Sequence, residues 1–215
     1  MLLSKNVNIF KSFGWALILF AAMIGVQALA QKPTAKDGES PTAVVEKVTR
    51  DMMSIIRTGQ KALKENPEAY FNDIRKVLEP VVSFKFIAKN VMANYWNTAS
   101  ADQKQAFTET FTQSMVETFG KGMANYTDLK IVTLPSEGDA ESQKRVEVLQ
   151  EVQGGEKVVR VSYTLAKHPS EGWKLINVVL NGVNLGQTFR DQFAQAAKQQ
   201  KNDLDKVIAE WGKSS

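Results

Sequence analysis

The chain has 215 residues, with 27 Lys and Arg against 23 Asp and Glu for a formal net charge of +4, and it has no cysteine. A small disulfide-stapled toxin or inhibitor is therefore excluded. The basic residues are scattered among acids without interleaved aromatics, so the electrostatic stripe of a nucleic-acid binder is missing as well.

Taken in chain order, the N-terminus reads as a signal peptide. Lys5 and Lys11 precede an uncharged apolar run from Phe13 to Val26, and Ala28-Leu29-Ala30 supplies small residues at the minus-three and minus-one positions. The run is shorter than the roughly 20 residues needed to span a bilayer, so cleavage after Ala30 is expected in place of a retained anchor. No Cys follows the cut, which excludes a lipoprotein anchor, and the mature chain is expected free in the periplasm as a monomer. Losing residues 1–30 lowers the formal charge to +2, and the remaining chain of about 185 residues is long enough to build one core.

Residues 31–40 are polar with Pro and Gly, the composition of a disordered leader, and residues 41–215 are expected to form a single domain. Ser40-Pro41 reads as a cap followed by Pro at the first helical position. Val45, Val48, Met52, Ile55 and Ile56 then recur at helical spacing, predicting an amphipathic helix over 41–63. Pro67 opens a second helix to Leu78, and Pro80 ends it. Val82, Phe86, Ile87, Val91, Tyr95 and Trp96 predict a third over 82–96, and Ser100 with Gln103 forms a capping box for a fourth. The fourth helix carries Phe107, Phe111, Met115, Phe119 and Met123 at four-residue spacing. Such a stripe drifts by about 40° per step and winds around the helix, a shape suited to wrapping one wall of a cavity. Gly120-Lys121-Gly122 reads as its terminator.

From Asp128 the period changes to two. Leu129 and Ile131 begin a strand. Val146, Val148 and Val152 alternate with Arg145, Glu147 and Glu151, and Gly154-Gly155 supplies a hairpin turn. Val159, Val161, Tyr163 and Leu165 then alternate with Arg160, Ser162 and Thr164. A fourth strand runs from Trp173 to Leu180, Asn181-Gly182 breaks it, and helices at 185–199 and 202–211 close the chain. Helices, then an antiparallel meander, then helices predict an α+β fold of the NTF2-like or cystatin-like kind. Helices pack on one face of a four-stranded antiparallel sheet and enclose an apolar cavity.

Catalytic chemistry is hard to find. His168 is the only histidine, and it lies in the turn His168-Pro169-Ser170-Glu171-Gly172, a solvated position. One His and no Cys cannot assemble a zinc-type ligand set or a Cys–His pair, and a Ser–His–Asp triad would need this turn residue. No phosphate-cradling glycine loop follows a strand. Small isomerases on a helix-backed curved sheet place a carboxylate and a tyrosine in an apolar pocket. The inward strand positions here offer Tyr163 but no acid, so an isomerase would need one from a helix. No catalytic residue, metal or cofactor is expected.

Four stretches resemble the MlaC family, the periplasmic phospholipid-binding component of the Mla lipid-transport system, also described as the toluene-tolerance auxiliary family. They are Val82 to Trp96, Thr98 to Phe107, Gly172 to Val179, and Asn181 to Leu185 with Phe189 to Phe193. The chain departs from the family pattern in carrying Ser83 and Asn177 where Asp is usual, and Ala93 where Gly is usual. The resemblance implies a carrier that holds phospholipid tails as cargo between sheet and helices and helps maintain outer-membrane lipid asymmetry and solvent tolerance. It implies two partners, an outer-membrane lipoprotein complex of the MlaA type and an inner-membrane MCE-type ABC transporter complex. On that reading the tail-contacting set is Phe107, Phe111, Met115 and Phe119 from the helix side. Val146, Val148, Val159, Val161, Tyr163 and Leu165 contribute from the sheet. The competing readings are a small-molecule isomerase and a lipid-free periplasmic adaptor.

Overall fold

The computed structural model describes residues 39–135, 143–154 and 157–213. The signal peptide, nearly all of the leader, and the centre of the Gly154-Gly155 turn lie outside the described residues. Helix α1, Pro41–Thr58, starts as its sequence requires, with the Ser40 hydroxyl accepting from the Ala43 amide and Pro41 in the first turn. The predicted 41–63 helix is split at Gly59, and a short α2, Gln60–Glu65, follows. Glycine, which weakens a helix interior, is required there by packing, since a Cβ on Gly59 would lie 2.6 Å from the Tyr70 ring. Helix α3 spans Pro67–Leu78 as predicted.

The predicted 82–96 helix departs most from expectation. Val82 is extended and forms a parallel bridge to Leu175, with the Ser83 amide donating to the Leu175 carbonyl and the Leu175 amide to that of Val81. Helix α4 therefore begins only at Phe84 and ends at Met92, and a five-residue α5, Asn94–Thr98, follows. Between them Ala93 has φ 49° and ψ −120°, a conformation natural to glycine and strained for any residue with a Cβ. Glycine is the residue this backbone conformation favours, and the chain meets the requirement with Ala. Ala93→Gly is accordingly expected to stabilise the protein by about 1 kcal/mol, seen as a higher denaturant midpoint at unchanged slope.

Helix α6, Ala101–Met123, opens on the full Ser100–Gln103 capping box. It does not stop at Gly120-Lys121-Gly122. Gly120 is an interior close-approach site, where an added Cβ would lie 2.8 Å from Ile74, and its carbonyl accepts from the Tyr70 hydroxyl. There α6 meets α3 in a cluster of Tyr70, Phe71, Ile74 and Val116.

Strands β1 (Lys130–Thr133), β2 (Arg145–Gly154), β3 (Lys157–His168) and β4 (Gly172–Leu180) form the expected antiparallel meander. The sheet has five strands, not four, because the Asn181-Gly182 break is itself a hairpin turn. Both residues have positive φ, 47° and 81°, and fold Val183–Asn184 back as β5 against Leu180 and Val179. Helix α7, Leu185–Gln199, follows at once. Helix α8, Leu204–Glu210, starts two residues later than predicted because Lys201 and Asn202 adopt left-handed φ and Asp203 is the cap. Val132, Leu149 and Val158 are exposed on the far face of the sheet. Among the described residues no helix is long and apolar enough to cross a membrane.

Candidate functional site

The inner face of the sheet is built by alternation. On β2, Val146, Val148, Gln150 and Val152 point one way, and on β3 so do Val159, Val161, Tyr163 and Leu165, each pair directly opposed across the strands. On β4 a bulge interrupts the period: Leu165 pairs with Leu175 but Thr164 pairs with Asn177, so Ile176 is the extra residue. Leu175, Val178 and Leu180 consequently share the inner face although their spacing is not even.

Helix α1 lies along β2 in the same direction. Val44 and Val45 pack with Val146, Val148, Leu165 and Trp173, while Met53 and Ile56 pack with Ile131 and Val152 farther along. Midway, the buried Gln150 amide holds the helix to the sheet. It bonds the Thr49 hydroxyl at 3.1 and 3.2 Å and donates to the Thr133 hydroxyl at 3.2 Å. On the other side of the face, Val178 joins a helical cluster from α4, α6, α7 and α8. Between these two packed flanks runs a strip of β3 and β4 comprising Val159, Val161, Tyr163 and Leu180, with Val161 and Leu180 directly opposite each other. Val159 and Val161 are only 5% and 7% exposed. Among the described residues, however, none of the four packed clusters includes Val159, Val161 or Leu180.

The ten residues expected to contact tails fall into distinct environments. Phe107, Phe111 and Met115 are buried in the helical cluster, where Phe107 stands 4.9 Å from Phe193 and 5.3 Å from Trp211, and Phe111 is 5.6 Å from Phe189 between ring centroids. They pack helix on helix. Phe119, one step farther on the drifting stripe, has rotated out and is 41% exposed. Val146, Val148 and Leu165 lie under α1 with Tyr163 packed against them, leaving Val159 and Val161 on the strip between the clusters. Sequence reasoning passed over Gln150, Val178 and Leu180. The alternation of β2 contained the signal for Gln150, whereas the bulge hid the other two.

Tyr163 is the polar group of the strip, and burial pushes its phenol up to about 12. His168 is exposed, with Ser170 near its Nδ1. Asn177 ties the sheet to the start of α7: its Oδ1 accepts from the Gly186 amide in the first turn at 3.2 Å.

Comparison with known proteins agrees with this architecture. Residues 46–213 match the family model described as MlaC protein. The toluene tolerance protein ttg2D of Pseudomonas putida is 35% identical over 175 residues, covering 80% of each chain. The intermembrane phospholipid transport system binding protein MlaC of Haemophilus influenzae is 24% identical, covering 71% of this chain and 72% of its own. A solved phospholipid-binding protein from Ralstonia solanacearum, in complex with a phospholipid, shares the fold with a TM-score of 0.71. It is 22% identical and covers 80% of this chain and 98% of that one. With the family model spanning most of the sequence and a relative above 30% identity over four-fifths of it, the chain belongs to the MlaC family.

Proposed function

We propose that the protein is a periplasmic phospholipid carrier and not an enzyme. The observation that carries this reading is the strip of Val159, Val161 and Leu180, apolar and sheltered, yet outside the packed clusters on either side, with Tyr163 at its edge against the cluster under α1. Relatives named for phospholipid binding and transport support it. Two acyl chains contain about thirty methylenes, and at about 0.8 kcal/mol each their exposure costs on the order of 25 kcal/mol, so a phospholipid does not cross water unescorted. Valine and leucine walls offer dispersion contacts without directional demands, and selectivity among tails is correspondingly loose. The cargo is collected from and delivered to an outer-membrane lipoprotein complex of the MlaA type and an inner-membrane MCE-type ABC transporter complex. That traffic maintains outer-membrane lipid asymmetry.

Native mass spectrometry of the exported protein, purified gently from a Gram-negative host, tests the reading. Retained phospholipid at near-stoichiometric occupancy is the expected result. A bare polypeptide mass would overturn it in favour of a lipid-free adaptor.

A further inference from the structure

Tyr163 sits midway along β3 at the edge of the strip, flanked in its own strand by Val161 and Leu165 and across the sheet by Val148 and Val178. Every one of these neighbours is aliphatic. Among the described residues no acceptor bonds the Tyr163 hydroxyl, whereas the fully buried Tyr70 phenol donates to the Gly120 carbonyl at 3.2 Å. The side chain is half-buried and its hydroxyl still meets solvent, so tails filling the strip would displace that water, and phenols shut away from water ordinarily find a partner. Phenylalanine would line the strip without that demand. The hydroxyl therefore points to an acceptor that arrives with the cargo.

The burial that raises the phenol's pKa also keeps it a neutral donor across physiological pH. A charged phosphate is a poor match for such surroundings, since bringing it in without cationic partners costs far more than one hydrogen bond returns. A neutral acceptor tied directly to the tails fits. Resting on the carrier reading above, we infer that the Tyr163 hydroxyl donates to an ester carbonyl of a bound diacyl glycerophospholipid, and so sets how deep the glycerol end lies in an otherwise undirected pocket.

Ether-linked lipids provide the test, because they keep the tails and headgroup and lack the carbonyl. Delipidated full-length mature protein is offered an equimolar mixture of diacyl phosphatidylethanolamine and its dialkyl ether analogue with matched tails, and the bound ratio is read by native mass spectrometry. Wild type is expected to favour the ester lipid by about three- to tenfold, the worth of one hydrogen bond. Tyr163→Phe is expected to bring the ratio near one while still loading lipid. A wild-type ratio near one, or a variant that keeps the wild-type preference, overturns the inference and leaves the carrier reading intact. If wild type takes up neither lipid, the carrier reading itself fails and the inference with it.

Discussion

Replacing Phe193 with Ala is expected to cost about 3–5 kcal/mol of stability, a large part of what holds a domain of this size together. Phe193 is fully buried on α7, with ring centroids 4.9 Å from Phe107, 5.6 Å from Tyr95 and 5.8 Å from Trp211. It joins α6, α7, α5 and the segment after α8, so truncation leaves a cavity that no single helix can collapse to fill. The comparison is Phe119→Ala, chemically the same change at a side chain 41% exposed, expected within about 0.5 kcal/mol of wild type. Urea denaturation of delipidated samples measures both. Equal effects at the two positions would show that the aromatic cluster is not the packed part of the fold.

Val161→Trp is expected to do the reverse: preserve the fold and empty it. Val161 faces inward between Gln150 and Leu180, and among the described residues it belongs to none of the packed clusters. In a close-packed core the added volume would destabilise by about 1–3 kcal/mol or more. On the open strip the indole occupies space that tails would fill. The delipidated variant should then unfold near the wild-type midpoint while its phospholipid content falls at least tenfold. Removing lipid from wild type first is essential, because bound ligand stabilises the native state by mass action. A variant that unfolds readily, or that still carries a full complement of lipid, would remove Val161 from the cavity wall.

These two predictions also mark what was legible in the sequence. Element type was readable wherever local chemistry was strong: the Ser40-Pro41 start, the Ser100–Gln103 box and the alternation of β2 and β3 all appear where expected. Breaks caused by distant contacts were not readable. The helix breaks at Gly59, a residue that the Tyr70 ring keeps free of a Cβ, and Val82 leaves its helix because the open edge of β4 offers backbone partners. The fifth strand was within reach, since Asn-Gly is the strongest short hairpin signal, but it was read as a terminator and not a turn. For the site, periodicity assigned the faces of Phe107, Phe111, Met115 and the strand residues, missed that Phe119 turns outward, and could not assign neighbours. Phe107 and Phe111 face inward as expected, yet the surface they meet is other helices, and that depends on how α7 and α8 return after the sheet.

Gln150 has a consequence for the alignment of the strands. A one-residue slip turns a strand's apolar set to the wrong face, but a two-residue slip past an aliphatic wall sets one aliphatic side chain where another stood and changes little contact energy. Slide β1 by two positions and Ile131 or Pro135 stands where Thr133 was, leaving the Gln150 amide N–H without that acceptor in a place water does not reach. The misalignment is then penalised at one side chain, at the full cost of an unsatisfied buried polar group. A container whose contents vary in length and number benefits from this arrangement: its lining stays indifferent to what touches it, while its walls keep a single relative position.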